Sequence, residues 1–273
     1  MEWEDMLITA QQNTALNGYG EDENVSCLDA IKQTYNNSQA KKVWRQMWAN
    51  FYKVPSATYE EISPQVTKDI DNTDKHIDRY VWIPFKNYIF DNEVYFKRIQ
   101  ILAETVLMET ERRAVDFGKD AFVNVVGCGL GVWMASEHQA DVYTLCFLAS
   151  IHRLLQQGML QHVADVNFAY INVTPPVSEL FTSIEGEVKN MFIENEQHPR
   201  GGITASLWNR EPSSRLQREH TGKLLVLTYP WDGNSQPGNE FWFGKLNGSG
   251  DSAAASSTQV SELHNAHVNM GVG

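Results

Sequence analysis

The feature that most constrains the fold is a strand, a glycine-rich loop, a helix and a second strand that follow one another between residues 121 and 173. AFVNVVG (121–127) is a β-branched run, which predicts a buried strand. HQADVYTLCFLASIHRLLQQG (138–158) is apolar on most faces and predicts a well-covered helix, and VADVNFAYINV (163–173) predicts a second strand. This succession indicates an α/β layered core with mostly parallel strands.

Further elements are predicted on both sides of this unit. Residues 91–118 form an amphipathic pattern, with Asp91 or Asn92 as the cap and Gly118 at the end. KLLVLTYP predicts a third strand, and DSAAASSTQVSELHN predicts a helix that begins at Asp251 or Ser252. Residues 178–222 are polar and predict an insertion.

The first part of the chain has a different pattern. Residues 22–52 repeat bulky apolar side chains at helical spacing, whereas residues 55–90 are mixed and contain three prolines. We therefore predict a mostly helical N-terminal extension, residues 1–85, packed on a core formed by residues 86–273.

Charge and cysteine usage exclude several classes of function. A net charge of −12 argues against binding to long nucleic acid, which needs clustered Lys and Arg. Cys27, Cys128 and Cys146 have no metal-ligand or disulfide spacing, which indicates reduced thiols. Neither a secretory signal nor a membrane-spanning run is visible. We expect an intracellular, cytoplasmic protein, in the host cytosol if it is a bacterial effector.

Three alternating glycines follow the first strand of this unit directly. Gly127, Gly129 and Gly131 tolerate positive φ and let a ligand approach the backbone. The N–H groups of Gly129, Leu130, Gly131 and Val132 could therefore hold a diphosphate at the carboxyl end of the sheet. The spacing is neither that of a P-loop nor that of a dinucleotide fingerprint. The alternative is a tight turn with close packing.

An acidic segment follows the third strand. YPWDGNSQPGNEFWFGKLNGSGDSAA (229–254) contains Asp232, Glu240 and Asp251 among glycines and bulky aromatic residues. Carboxylates that converge on a sugar can bind its hydroxyls, stabilise an oxocarbenium ion or activate a water molecule. Each acid also has a structural alternative, because Asp232 fits a turn, Asp251 fits a helix cap and Glu240 fits a solvated surface. We expect this segment and the glycine loop to meet at one edge of the sheet.

Three stretches of the sequence carry a resemblance to a known family. PWDGNSQPGNEFW and SGDSAAASSTQVSELHNAHVN resemble the C-terminal signature of the macrodomain-like ADP-ribosylhydrolases that include the bacterial effector MavL and eukaryotic relatives. VVGCGLGVWM looks like the second phosphate loop of a macrodomain. The resemblance covers residues from about 80 to 273. It implies a macrodomain-like layered sheet flanked by helices. The family that it resembles is distantly related to poly(ADP-ribose) glycohydrolase.

The same resemblance implies an activity and a set of site residues. The activity is removal of ADP-ribose from modified arginine, including arginine of ubiquitin. Because the sequence shows no metal-ligand cluster, we expect hydrolysis without metal or cofactor, and we expect a monomer. The implied catalytic acids are Asp232, Glu240 and Asp251. The predicted ligand-binding residues are Gly127, Gly129, Leu130, Gly131, Val132, Trp133, Trp231, Asn234, Phe241 and Asn269. A non-catalytic ADP-ribose reader, or an interaction protein whose tryptophans belong to the core, stays open as an alternative.

Overall fold

The computed structural model describes residues 5–15, 17–20, 38–66, 68, 75–84, 87–131 and 134–228. The chain divides into two compact units, Met1–Thr228 and Tyr229–Gly273. The second unit lies outside the described residues, so the predicted helix at 251–265 stays a prediction. So does the boundary at residue 85.

The described part of the chain forms five α-helices, nine strands and, in addition, one 3-10 turn at Arg218–His220. The helices are α1 Ser38–Tyr52, α2 Tyr59–Ile62, α3 Asn92–Phe117, α4 His138–Gln156 and α5 Pro175–Ser178. The strands are β1 Leu7–Ile8, β2 Tyr80–Ile83, β3 Tyr88–Asp91, β4 Ala121–Val126, β5 Val163–Ala169, β6 Ser183–Glu185, β7 Val188–Glu194, β8 Gly202–Leu207 and β9 Leu224–Leu227. Of the helix predicted at 22–52, α1 is the part that is described.

The larger sheet has six strands in the order β6-β7-β8-β5-β4-β9. Strands β8, β5, β4 and β9 are parallel to one another, and α4 connects β4 to its neighbour β5. The predicted α/β core is therefore confirmed. A second, antiparallel sheet has the order β1-β3-β2.

The prediction of an insertion at 178–222 is wrong for its first half. Strands β6, β7 and β8 extend the sheet there through antiparallel pairs. Most of β7 is half-buried or exposed, because it lies toward the outer edge of the sheet. A strand that is covered on one face can keep its polar residues, so this stretch lacks the continuous apolar pattern by which β4 was found.

The ends of α3 are those that the sequence predicts. The Asp91 carboxylate accepts hydrogen bonds from the N–H groups of Glu93 (3.0 Å) and Val94 (3.2 Å). Gly118 ends the helix in the left-handed conformation, with φ of 59°. Because α3 runs back toward the start of β4, its first turn lies at the carboxyl end of that strand.

The two faces of the sheet are covered by different parts of the chain. Phe168 of β5 contacts Phe147 of α4, with ring centroids 5.9 Å apart, so α4 covers that face. The alternate residues Phe122 and Asn124 of β4 face the segment 208–223 instead. The apolar core extends to residues of β1 and α1, so the beginning of the chain packs on the same core. Among the described residues, no helix is both long enough and apolar enough to cross a membrane.

Candidate functional site

The candidate site lies at the carboxyl edge of the parallel strands. Strands β4, β5, β8 and β9 all end at this edge because they run in the same direction. The glycine loop follows β4 here, and α4 begins here. In parallel α/β sheets this edge is where ligands bind.

The glycine loop begins with a tight turn. The Leu130 N–H donates to the Gly127 carbonyl (3.2 Å), and Gly129 has a φ of 78°, which a type II turn requires at its third position. A Cβ atom added at Gly131 would meet no protein atom within 4 Å. Among the described residues, none accepts a hydrogen bond from the N–H groups of Gly129 or Gly131. The loop therefore offers backbone donors to an anion.

The entry to this loop is held from both sides. The Val126 N–H donates to the Thr228 hydroxyl (2.8 Å), and the Tyr143 hydroxyl donates to the Val126 carbonyl (3.1 Å). Thr228 follows β9 and is buried, and Tyr143 belongs to α4 and is fully buried. Because both backbone groups of Val126 are bound, the position at which the loop leaves the sheet is fixed.

We expect Thr228→Val to destabilise the fold, because valine has the same shape but leaves the Val126 N–H without its acceptor. The expected loss in the free energy of unfolding is about 1–3 kcal/mol, measured by denaturant titration. Thr228→Ser retains the hydroxyl and is the matched control. Equal stability of the valine and serine variants would show that this hydrogen bond does not hold the loop entry.

The exit of the loop is held by a backbone hydrogen bond and by the Gln139 side chain of α4. The Met134 N–H donates to the Gly131 carbonyl (3.0 Å). The N–H groups of Ala135 and Ser136 both donate to the Gln139 side-chain oxygen, at 2.5 and 3.1 Å. The position at which the chain leaves the loop is therefore also fixed by hydrogen bonds.

His138, the first residue of α4, is 5% exposed and lies between two polar side chains. Its Nδ1 is 2.8 Å from the Ser136 hydroxyl, and its Nε2 is 2.9 Å from the Asn92 side-chain oxygen. Burial, with Lys75 and His76 nearby, lowers the pKa of His138 from 6.5 to about 4. The ring is therefore neutral in the folded protein at pH 7.

This lowered pKa predicts a loss of stability in mild acid. Between about pH 6.5 and pH 4 the unfolded chain binds a proton at His138 and the folded chain does not, so the free energy of unfolding falls as the pH falls. Over that window the contribution reaches about 3 kcal/mol. Denaturant titrations at several pH values should show that His138→Gln removes this component and that His152→Gln, at an exposed position, retains it. An unchanged pH dependence in His138→Gln would contradict the lowered pKa.

Cys128 lies inside the glycine loop, where a thiol with a lowered pKa could act as a nucleophile. Burial raises the pKa of the Cys128 thiol, although a hydrogen bond with Tyr143 opposes this shift. A raised pKa keeps the sulfur protonated at neutral pH, so Cys128 is a poor nucleophile. Cys128 and Cys146 are both free thiols.

The sheet face opposite α4 carries a buried polar network around Asn124 of β4 and Asn167 of β5. The Asn167 side-chain amide donates to the side-chain oxygen of Asn124 (2.9 Å) and to the Trp208 carbonyl (3.0 Å). Arg210 donates to the Pro212 carbonyl (3.0 Å), and its guanidinium lies 5.4 Å from the centre of the Phe122 ring. The segment after β8 is therefore held against this face of the sheet.

The structure brings together only part of the predicted site. Gly127, Gly129, Leu130 and Gly131 form one loop at the carboxyl edge, as predicted. The other predicted residues lie outside the described part of the chain and stay predictions: Val132, Trp133, Trp231, Asp232, Asn234, Glu240, Phe241, Asp251 and Asn269. The expected meeting of the acidic segment with the loop is therefore untested. In the described ranges, no three His, Cys, Asp or Glu residues are grouped as metal ligands.

Sequence reasoning missed the residues that hold the loop in place. Thr228 and Tyr143 lie inside a predicted strand and a predicted helix, where nothing in the local pattern marks them. The sequence marked His138 only weakly. It belongs to the polar stretch SEHQ, which lies between the glycine loop and the apolar helix. Their roles depend on contacts between residues that are far apart in sequence, such as Thr228 and Val126.

Comparison with known proteins gives a consistent result over the whole chain. A family model described as "ADP-ribosylhydrolase MavL-like" matches residues 1–272. Two Drosophila melanogaster proteins named ADP-ribosylarginine hydrolase are similar to the chain. CG2909 is 35% identical over 272 residues, and CG3568 is 34% identical over 270 residues. The alignments cover 98% and 99% of this chain but 47% of each relative, so the chain spans about half the length of these relatives.

Proposed function

Because the chain belongs to the MavL-like ADP-ribosylhydrolase family, we propose that it hydrolyses the bond between ADP-ribose and an arginine side chain. The observation that carries this proposal is the family match, which extends over residues 1–272 and includes the glycine loop. The names of the two fly relatives support arginine as the modified residue.

The loop geometry supports binding of the ADP-ribose diphosphate, which hydrolysis requires. The N–H groups of Gly129 and Gly131 have no acceptor among the described residues, and the loop lies at the carboxyl edge of the sheet. Backbone donors of this kind bind diphosphates without a lysine. Anion binding through the backbone also suits a chain with a net charge of −12. We assign the diphosphate of ADP-ribose to residues 129–132.

The acids of the segment after β9 would perform the chemistry. The bond to be broken joins the anomeric carbon of the distal ribose to a guanidinium nitrogen. A water oxygen bonds to that carbon as the carbon–nitrogen bond breaks, and positive charge develops on the sugar. We assign stabilisation of this charge and orientation of the ribose hydroxyls to Asp251. Asp232 or Glu240 takes the proton from water, while the departing guanidine nitrogen gains one.

Aromatic residues of the same segment complete the proposed site. Trp231 and Phe241 would stack on the adenine or on the distal ribose, and Asn234 and Asn269 would bind polar groups of the ligand. Trp133 is assigned to the wall of the diphosphate site.

The proposal also covers the substrate protein, the cellular compartment, the oligomeric state and the cofactor requirement. We propose an ADP-ribosylated protein, with ubiquitin among the substrates to be tested, and an enzyme that acts as a cytoplasmic monomer. The free thiols Cys128 and Cys146 fit a reducing compartment. We also propose that hydrolysis needs no metal or other cofactor.

A direct assay tests the proposed function. The purified chain is titrated with ADP-ribose by calorimetry and is then incubated with peptides that carry ADP-ribose on arginine, serine or glutamate. We expect release of ADP-ribose from the arginine peptide, in the presence of chelator as well as in its absence. ADP-ribosylated ubiquitin is assayed in the same way.

The possible outcomes separate the alternatives. Binding of ADP-ribose without release from any peptide would identify a reader rather than a hydrolase. No heat of binding would favour an interaction protein whose glycine loop is only a turn. Release from serine or glutamate peptides alone would contradict the assignment to arginine.

A further inference from the structure

We propose that Asn92, His138 and Ser136 form a hydrogen-bond relay that positions the exit of the glycine loop for binding the diphosphate of ADP-ribose. This makes His138 a positioning residue for the ligand. The inference rests on the proposed function, because it takes the glycine loop as the binding site of ADP-ribose.

The orientation of the Asn92 side chain is fixed by its surroundings. Its Nδ2 group donates hydrogen bonds to the backbone carbonyls of Lys75 (2.8 Å) and Asp78 (2.7 Å). Only the amide nitrogen of asparagine can donate to two carbonyls, so its oxygen must point the other way, toward His138. Asn92 is 5% exposed, so water does not replace these partners.

The direction of each hydrogen bond in the relay follows from this orientation. The Asn92 oxygen accepts only, so the Nε2 atom of His138 at 2.9 Å must carry the proton. A neutral ring has one N–H group, which leaves Nδ1 as an acceptor. The Ser136 hydroxyl, 2.8 Å from Nδ1, therefore donates to it. The tautomer protonated at Nε2 therefore satisfies both partners. The other neutral tautomer would place an unprotonated Nε2 against the Asn92 oxygen, and neither atom could donate.

The relay connects the segment 75–78 with the exit of the glycine loop. At one end, Asn92 binds the backbone of Lys75 and Asp78. At the other end, Ser136 belongs to the short stretch whose backbone binds Gln139 and whose Met134 N–H donates to the Gly131 carbonyl. A displaced Ser136 would move this stretch and, through it, Gly131. The backbone donors of the loop would then be less well preorganised for the diphosphate, and binding would weaken.

Three substitutions separate the links of the relay. Ser136→Ala removes the donor to Nδ1, and Ser136→Thr retains a hydroxyl at that position. His138→Gln retains a donor at the position of Nε2 but has no acceptor atom at the position of Nδ1, which Ser136 contacts. Ser150→Ala removes the hydroxyl of a buried serine that lies in α4 and outside the relay, and serves as the control.

We expect weaker ADP-ribose binding in the relay variants. Loss of one link should raise the Kd by roughly two- to tenfold in Ser136→Ala and in His138→Gln. In the hydrolysis assay KM should rise while kcat changes little, because the relay acts on binding. Ser136→Thr should restore the affinity, and Ser150→Ala should leave it unchanged. Nitrogen-15 NMR of His138 should show the tautomer protonated at Nε2.

Two results would overturn the relay. The first is wild-type affinity for ADP-ribose in folded Ser136→Ala and His138→Gln, and the second is a His138 ring protonated at Nδ1. If His138→Gln does not fold, Ser136→Ala with its threonine rescue decides the first point.

If the wild-type chain does not bind ADP-ribose, the proposed function fails separately. Hydrogen exchange then tests the relay alone, since Met134 and Ala135 amides should exchange faster in Ser136→Ala than in Ser150→Ala; equal rates would overturn it.

Discussion

Asp251→Ala is expected to lower the turnover of ADP-ribosylated arginine by about 10²–10⁴, which corresponds to roughly 3–5 kcal/mol of transition-state stabilisation. The physical reason is the charge that develops on the distal ribose, since alanine offers no carboxylate to stabilise it. Asp232→Ala should reduce kcat to a similar extent if Asp232 takes the proton from water. Initial rates of ADP-ribose release from an arginine peptide measure both effects.

The control for these acids is a carboxylate elsewhere on the surface. Asp116 is an exposed residue near the end of α3 that pairs with Arg112 at 2.8 Å. Asp116→Ala should keep the wild-type rate, because an exposed ion pair contributes little to stability or to a remote site. Full hydrolysis by a folded Asp251→Ala variant would reject the role assigned to Asp251. A loss of structure measured by circular dichroism in that variant would instead show that Asp251 is a helix cap.

Gly131→Ala is expected to reduce ADP-ribose affinity by about tenfold or more while leaving the fold intact. The added Cβ meets no protein atom within 4 Å, so the protein itself has room for it. If the diphosphate lies against this backbone, the same methyl group occupies the place of the ligand. Calorimetry with ADP-ribose and thermal unfolding of the same sample measure the two properties separately.

Gly118→Ala is the matched control for this substitution. Gly118 ends α3 with φ of 59°, a conformation that costs an alanine about 1–2 kcal/mol. This variant should therefore lose stability and keep its affinity, the opposite of Gly131→Ala. If Gly131→Ala binds ADP-ribose as tightly as the wild-type chain, the loop is a turn and the ligand is bound elsewhere.

The elements found correctly from the sequence are those with strong local signals. Strand β4 is a continuous β-branched run, and α3 has a capping aspartate and a terminal glycine that act within one turn of the helix. Strands β6 to β8 were missed for two reasons. Strand β7 lies next to the edge strand β6 and keeps polar, partly exposed residues. Strand β8 is mostly buried, but its run GITASL is short and begins with glycine, which is depleted in strands. The glycine loop was a candidate anion site because glycines after a strand tolerate positive φ and let a ligand approach the backbone, with a tight turn as the alternative.

The sequence alone determined that a glycine loop follows a buried strand and precedes a covered helix, because these features depend on side-chain type and spacing along one stretch of chain. Only the tertiary structure decided what holds that loop. Thr228 binds Val126 across 102 positions, and His138 reaches Asn92 across 46. Contacts of this length arise when parallel strands and helices pack side by side, and no local periodicity encodes them.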